Sequence, residues 1–402
     1  WGHDATSGKT KEYAAKKFFI YTQVSGLIML VGIFMLVLIQ FSSTGVLSFD
    51  YQDLLGVNLG QYEYAIMLCF FIGFAVKLPV FPLHGWLPDA HAQAPTAGSV
   101  DLAGILIKTA AFGLLRFVLP LFPNASAEFA PIAIVLGLIG VFYGAFLAFA
   151  QTDIKRLLAY TSISHMGFVI LAIYAGSLVS LQGLMVQMLA HGLSSAALFI
   201  MAGQVYERLH TRDMSLMGGM WGQFRYLPAF LMFFSAALLG IPSTGNFVGE
   251  ILIVLGSFAK YPMFTIIAAA SFVFAGLYAL IMIYQTLFGK NTSQEVAKAY
   301  GGKLRDLSKR ELSLLSILAI GLLWMGLYPQ PILNASNQAM GFIGAAYHQK
   351  IVPSAPIYGR QIIDMQGVID ELSQKANRQD GQLYEYPAGE LDKQTSQFGQ
   401  GE

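Results

Sequence analysis

The sequence has 402 residues, of which 55% are hydrophobic and only 12% charged, with a net charge of +1 and a mean hydropathy of +0.57. About a quarter of the residues of a typical soluble domain are charged, so this composition predicts a membrane protein. The net charge gives no reason to expect a nucleic-acid partner. The single cysteine, Cys69, excludes a disulfide within the chain.

Nine stretches of the sequence are apolar and long enough to be membrane-spanning helices, which need about 20 residues each. They lie near 17–41, 62–86, 97–118, 130–150, 157–176, 180–206, 226–258, 262–288 and 311–328. The pattern predicts an all-α polytopic membrane protein.

Lysine and arginine residues in the short loops predict which side of the membrane each loop faces, because cytoplasmic loops are enriched in them. With nine helices threaded, the basic residues of four connecting segments fall on one side: Lys9, Lys11, Lys16 and Lys17; Lys155 and Arg156; Arg208, Arg212 and Arg225; Lys303, Arg305, Lys309 and Arg310. The N-terminus is therefore predicted to be cytoplasmic and the C-terminal tail to lie outside. From about Pro353 this tail turns polar and acidic, which predicts a weakly structured extension.

Two of the nine helices are interrupted in the sequence. The second carries Pro79, Pro82 and Pro88 around Lys77, and the seventh carries a Gly-Pro-rich break over 240–246. Broken helices at membrane depth are tolerated only inside protein or beside a water-filled cavity, and a matching pair points to inverted repeats with a transport site at the midplane. A proline kink without function is the open alternative.

Five titratable residues lie in the apolar runs: Lys77, Lys108, His165, His191 and Glu250. An ionised side chain at the bilayer centre costs about 2.5 to 3.5 kcal/mol, so the lysines and the glutamate call for a functional reason. A histidine alone is as often a hydrogen-bonded core residue. Together the five predict a polar seam that carries protons, because burial and neighbouring charges can shift the pKa of each group.

Other chemistries find little support in the sequence. It has no Gly-rich phosphate loop, no CxxC, no HExxH and no Gly-x-Ser-x-Gly. His84, Asp89 and His91 are possible metal ligands, but Pro82 and Pro88 break the helical spacing that a metal site would need. No metal or cofactor is expected in this chain.

Several long motifs closely resemble the antiporter-like membrane subunits of respiratory complex I. They are KLP at 77–79, FPLHGWLPDAH at 81–91, APTAGSV at 94–100, LIK at 106–108, DIKRLLAYTSISHMG at 153–167 and GNFVGE at 245–250. The resemblance runs from Trp1 to about Pro331. Within the family it is greatest to the M-type bacterial subunits, because the sister subunits generally have lysine at the position of Glu250.

The resemblance implies an inverted-repeat antiporter-like fold in a bacterial inner membrane, with proton pumping driven by quinone reduction elsewhere. Residues 1–128 would be three helices of a first unit, 129–290 a second unit of five helices, 291–345 a basic loop and final helix, and 346–402 a polar acidic tail. NADH, FMN, iron–sulfur clusters and quinone would be held by partner subunits. The family also has about five helices before the position of Trp1, the last with a glutamate that pairs with the lysine matching Lys77.

Two other functions are left open by the sequence. A subunit of a multisubunit sodium or potassium/proton antiporter would share these motifs. A purely structural membrane scaffold would not need the buried charges that this chain carries.

Overall fold

The computed structural model describes residues 10–290, 292–299 and 305–349, and no β-strand occurs in those ranges. The helices are α1 (Lys11–Thr44), α2 (Glu63–Lys77), α3 (Leu87–Gln93), α4 (Thr96–Leu121), α5 (Pro123–Phe149), α6 (Ile154–Ala175), α7 (Leu178–Leu209), α8 (Leu227–Leu239), α9 (Gly245–Phe258), α10 (Pro262–Leu287), α11 (Thr292–Ala299), α12 (Lys309–Leu327) and α13 (Gln330–Gln349).

The predicted all-α membrane architecture is confirmed. Among the described residues, seven helices are long and apolar enough to cross a membrane, namely α1, α4, α5, α6, α7, α10 and α12. The two spans that were predicted to be interrupted form the pairs α2 and α3, and α8 and α9. Each break contains proline, Pro79 and Pro82 in the first and Pro242 in the second. Proline has no backbone N–H and so cannot make the hydrogen bond that a continuous helix would need.

Helix α6 lies at the centre of the bundle. In the most hydrophobic 18-residue stretch of α6, 94% of the residues are buried. The corresponding stretches of α1 and α12 have 28% and 17% of their residues buried. Helix α6 packs against α5, α7 and α9. A polar residue on α6 is therefore enclosed by protein, whereas much of α1 and α12 presents apolar side chains outward.

Helix α4 departs from regular α geometry in two places. Residues Leu102–Leu106 and Leu114–Val118 form π-helical stretches within it. Such bulges are rare and often occur at functional sites. The first one ends two residues before Lys108, so it sets the rotation of that side chain about the helix axis.

Basic residues gather at one end of the bundle. Lys17 of α1 and Arg156 of α6 both pair with Asp89 of α3, at 2.7 and 2.8 Å. Arg208 at the end of α7 pairs with Glu311 of α12 at 3.0 Å. These ion pairs join the helix ends that the loop charges had grouped on one side, and we call this end of the bundle the basic end.

Helix α13 was not predicted, because the last of the nine predicted spans ended near residue 328 and residues 291–345 were expected to hold a single final helix. It packs against α7, where Gln182 donates to Asn337 at 3.0 Å, and Tyr347 donates to the backbone oxygen of Tyr174 at 3.2 Å. The predicted boundary at 345/346 lies inside this helix, and the boundaries at 128/129 and 290/291 stay predictions. The predicted acidic tail lies outside the described residues.

Helices α7 and α9 approach each other closely at Gly249. A Cβ atom there would lie 2.7 Å from the backbone nitrogen and Cα of Gln187. Only a residue without a side chain permits this distance. The contact therefore fixes the position along α7 at which α9, the second half of the second broken helix, packs.

We predict that Gly249→Ala destabilises the protein by about 1 to 3 kcal/mol, as overpacking typically does. The apparent melting temperature of the purified protein would report the loss. Gly276→Ala in α10 is the matched control, because its Cβ would meet only Leu239, at an ordinary 3.7 Å. Equal melting temperatures for the two variants would contradict the close contact.

Candidate functional site

The break between α8 and α9 is stabilised by its backbone conformation and by the side chain of Asn246. Gly240 and Ser243 have φ angles of 79° and 82°, in the left-handed region, so the chain turns sharply there. Asn246 donates to the backbone oxygen of Ala237 at 2.7 Å and to Oγ of Ser194 at 2.9 Å. The side chain thereby satisfies a carbonyl at the end of α8, which a buried break would otherwise leave without a partner.

The break after α2 is satisfied in a comparable way. The indole nitrogen of Trp86 donates to the backbone oxygen of Val76 at 2.8 Å, and the N–H of Val80 donates to Ala75 at 2.9 Å. Trp86 is only 2% exposed. Both interrupted helices therefore end in a stable, partnered conformation inside the protein.

Glu250 lies in α9 beside the second break and is buried, with 4% of its surface exposed. Its Oε1 accepts a hydrogen bond from Gln187 at 3.0 Å and lies 2.9 Å from Nδ1 of His165, an ion-pair distance without the alignment of a hydrogen bond. A Cβ on Gly240 would come within 2.8 Å of Oε2. The break thus leaves space that the carboxylate occupies.

Lys108 on α4 meets His191 on α7. The distance from Lys108 Nζ to His191 Nδ1 is 2.9 Å, and the same ammonium donates to the backbone oxygen of Ala103 within the π-helical stretch. When Lys108 is protonated its ammonium can only donate, so in that state His191 accepts at Nδ1 and carries its proton on Nε2. The apolar flanks of Lys108 had required a polar partner, and His191 is that partner.

The two histidines lie next to each other and complete a line of polar groups. The ring centroids of His165 and His191 are 5.2 Å apart, with the rings tilted by 58°. The line therefore runs from Lys108 through His191 and His165 to Glu250, drawing one group each from α4, α7, α6 and α9. We call these four residues the polar axis.

Tyr278 on α10 belongs to this site and was missed by the sequence analysis. It is fully buried, and its hydroxyl lies 3.2 Å from Nε2 of His165. With Glu250 at Nδ1, both nitrogens of His165 face a polar group. A tyrosine in an apolar helix does not by itself indicate a functional residue in the sequence. The contact with His165 is what assigns Tyr278 to the site.

Lys77 does not join the polar axis. It is the last residue of α2 and is half-buried, and it forms no ion pair with any residue that the structure describes. Lys77 lies directly before the first break, as its place two residues before Pro79 predicted.

His84 and His91, the possible metal ligands, lie against different aromatic rings. His84 is 4.9 Å from the ring of Tyr143, and His91 stacks on Phe199 at 4.5 Å. Asp89, between them in the sequence, is engaged by Lys17 and Arg156.

The family described as "NADH:quinone oxidoreductase/Mrp antiporter, TM" matches residues 4–281 of the chain. Two curated relatives are named NADH-quinone oxidoreductase subunit M. The one from Escherichia coli K12 is 57% identical over 357 residues, covering 89% of this chain and 69% of the relative. The one from Pseudomonas aeruginosa is 60% identical over 342 residues, covering 85% and 66%. The chain thus spans about two thirds of the length of these relatives.

Solved structures share the fold. Respiratory complex I from Thermus thermophilus with bound NADH contains a chain with a TM-score of 0.75 and 28% identity, covering 85% of this chain and 70% of that one. The Mrp complex from Dietzia sp. gives a TM-score of 0.73 at 17% identity, with coverages of 87% and 70%, a likeness of fold alone. The chain belongs to the membrane-subunit family of NADH:quinone oxidoreductases and Mrp antiporters, and within it to the relatives named subunit M.

Proposed function

We propose that the chain is a proton-translocating membrane-arm subunit of NADH:quinone oxidoreductase, and that the polar axis is its proton path. The single observation that carries this proposal is the buried line from Lys108 to Glu250. Each of its four members can hold or release a proton and lies beside a partner that responds to the change: Lys108 beside His191, and His165 beside Glu250. Burying four such residues in an apolar bundle costs free energy, and this cost favours a functional role for them.

The widest gap in this path lies between the two histidines, whose ring centroids are 5.2 Å apart. Nε2 of His191 has no hydrogen-bond partner among the described residues, while His165 faces Glu250 and Tyr278. One water molecule, or a small rotation of either ring, would connect His191 to His165. We propose that this gap is where transfer is gated, because a proton crosses it only when the connection forms.

The remaining roles follow from the same proposal. Lys77, at the end of α2, would be a further titratable group that delivers protons toward Lys108. Gln187 would orient Glu250, which would release protons next to the break. The chain would hold no redox centre, so NADH, FMN, iron–sulfur clusters and quinone would be bound by partner subunits, with sister antiporter-like subunits as its membrane neighbours.

The proposed location is the bacterial cytoplasmic membrane, with the basic end in the cytoplasm, because lysine and arginine are retained on that side. The N-terminus of the chain would then be cytoplasmic and the C-terminal tail periplasmic. Helix α13, packed near the other end of α6 and α7, would lie at the periplasmic surface.

A cation/proton antiporter subunit is the alternative. The identity of 57% to a subunit M, against 17% to a chain of the Mrp complex, supports the oxidoreductase. Proton movement in vesicles that depends on sodium or potassium and not on NADH would favour the antiporter instead.

We predict that Lys108→Ala lowers NADH-driven proton uptake by inverted membrane vesicles about tenfold or more, since a positioned acid–base group contributes at least that much to proton transfer. His191 would lose the side chain that contacts its Nδ1. Lys16→Ala, which removes an exposed lysine of α1, is the control. Normal uptake by the fully assembled Lys108 variant would remove it from the path.

We predict that Glu250→Gln also reduces proton uptake severely, while Glu250→Lys retains more activity than Gln. The glutamine can still accept from Gln187 but cannot titrate, whereas a lysine titrates and Gln187 can turn its amide oxygen toward it. Both variants are compared at matched assembly with Glu128→Gln, an exposed carboxylate of α5. If Glu250→Gln pumped like the wild type, Glu250 would have a structural role only.

We predict that Tyr278→Phe lowers proton uptake about threefold to tenfold without loss of assembly, because the ring keeps its packing while His165 loses the partner at Nε2, a hydrogen bond worth about 1 kcal/mol. Tyr284→Phe, on the same helix with its ring 66% exposed, is the matched control. Equal uptake by the two variants would show that the hydroxyl contact has no part in transfer.

A further inference from the structure

The end of α7 carries two buried arginines that the polar axis does not use. Arg208 lies in the last turn of α7 and Arg212 in the loop that follows, and they are 8% and 3% exposed. A buried guanidinium needs partners for its N–H groups. Both arginines find them. Arg212 contacts a half of the first broken helix directly, and Arg208 contacts the segment whose Asp306 caps the second.

Arg208 holds the segment that precedes α12. Its Nε donates to the backbone oxygen of Arg305 at 2.7 Å, and Nη2 donates to the backbone oxygen of Asp306 at 3.2 Å and to Glu311 at 3.0 Å. Glu311 in turn accepts from the backbone of Ser308, closing a capping box at the start of α12. The position of Asp306 is therefore set by Arg208.

Asp306 caps the first half of the second broken helix. Its carboxylate accepts the backbone N–H groups of Arg225, Tyr226 and Leu227 at 2.7, 2.8 and 3.2 Å, where α8 begins. Burial raises the pKa of Asp306, but these hydrogen bonds and one from Leu307 outweigh it and hold the pKa below its usual range. The carboxylate is thus ionised at neutral pH, and α8 is anchored by a charged cap.

Arg212 holds the second half of the first broken helix. Its Nη1 donates to the backbone oxygen of Ala92 in α3, and its Nε lies 3.5 Å from Oδ2 of Asp153, which caps α6. Lys155 donates to the backbone oxygen of Ala94, just after α3, at 2.9 Å. The end of α3 is therefore fixed to the loop after α7 and to the start of α6.

We infer that Arg208 and Arg212 are positioning residues that join the two broken helices through the end of α7. One arginine sets the cap of α8 and the other sets the end of α3, and only three residues separate them in the chain. Displacement of either half-helix at the basic end pulls on α7, the helix that carries Gln187 and His191. The inference extends the proposed function, because it supplies a mechanical link between the two broken helices through α7, which carries a residue of the polar axis.

The test is hydrogen–deuterium exchange on the assembled complex in lipid nanodiscs, followed by mass spectrometry of peptides that cover 88–96 and 225–231. It needs no proton pumping, so it is independent of the proposed function. We expect Arg212→Gln to raise exchange about fivefold or more in both segments, as a coupling near 1 kcal/mol would. The contacts described above for Arg212 go to Ala92 and Asp153, so a rise in 225–231 would be transmitted through α7. Arg208→Gln should do the same in reverse.

Arg310→Gln is the matched control, because Arg310 is an exposed arginine at the same end of the bundle. Arg208→Lys and Arg212→Lys keep the charge and part of the hydrogen bonding, so both segments should show smaller increases, and these variants serve if a glutamine variant does not assemble. An increase confined to the segment that each arginine touches, or one no larger than that of Arg310→Gln, would overturn the inference.

Discussion

A backbone N–H or C=O group inside a bilayer finds no water, so each one must be partnered within the protein. A helix broken in mid-membrane violates this requirement at two new ends. This chain breaks two helices, and specific side chains meet the exposed carbonyls, Trp86 at the first break and Asn246 at the second. The packing around both breaks follows from that constraint, because the satisfying groups must come from neighbouring segments held at fixed distances.

The polar axis depends on the same close packing. The line from Lys108 to Glu250 is built from four helices, and each contributes one residue that is not adjacent in sequence to any other. Close approach of α7 to α9 at Gly249 brings Gln187 within hydrogen-bond distance of Glu250. A π-helical stretch in α4 rotates Lys108 toward His191. Small departures from regular helix geometry thus decide whether the titratable groups meet.

Charge is distributed differently at the basic end. There, buried arginines and carboxylates form ion pairs and cap helix ends, and each has several hydrogen-bond partners. Such networks contribute little net stability, because desolvation offsets the attraction, but a buried charge without its partner is strongly unfavourable. The arrangement of α3, α6, α7 and α8 relative to one another at this end is therefore narrowly defined.

The sequence by itself determined the membrane class, the positions of the spans, the two breaks and the set of titratable residues. Each of these follows from a local pattern within about 20 residues. Hydropathy marks the spans, proline and glycine mark the breaks, and isolated charges in apolar surroundings mark the titratable residues. Helix α13 was not predicted because asparagine, glutamine and serine residues interrupt its apolar sequence, so hydropathy alone did not mark it.

Only the tertiary structure decided which of those residues meet. Lys108 and His191 are 83 positions apart, and His165 and Tyr278 are 113 apart. Contacts at such separations depend on how each helix is rotated and how closely its neighbours approach, and no local pattern encodes either. For the same reason the sequence grouped Lys77 with the other four titratable residues, while the packing of the described helices joins those four and leaves Lys77 at the end of its own helix.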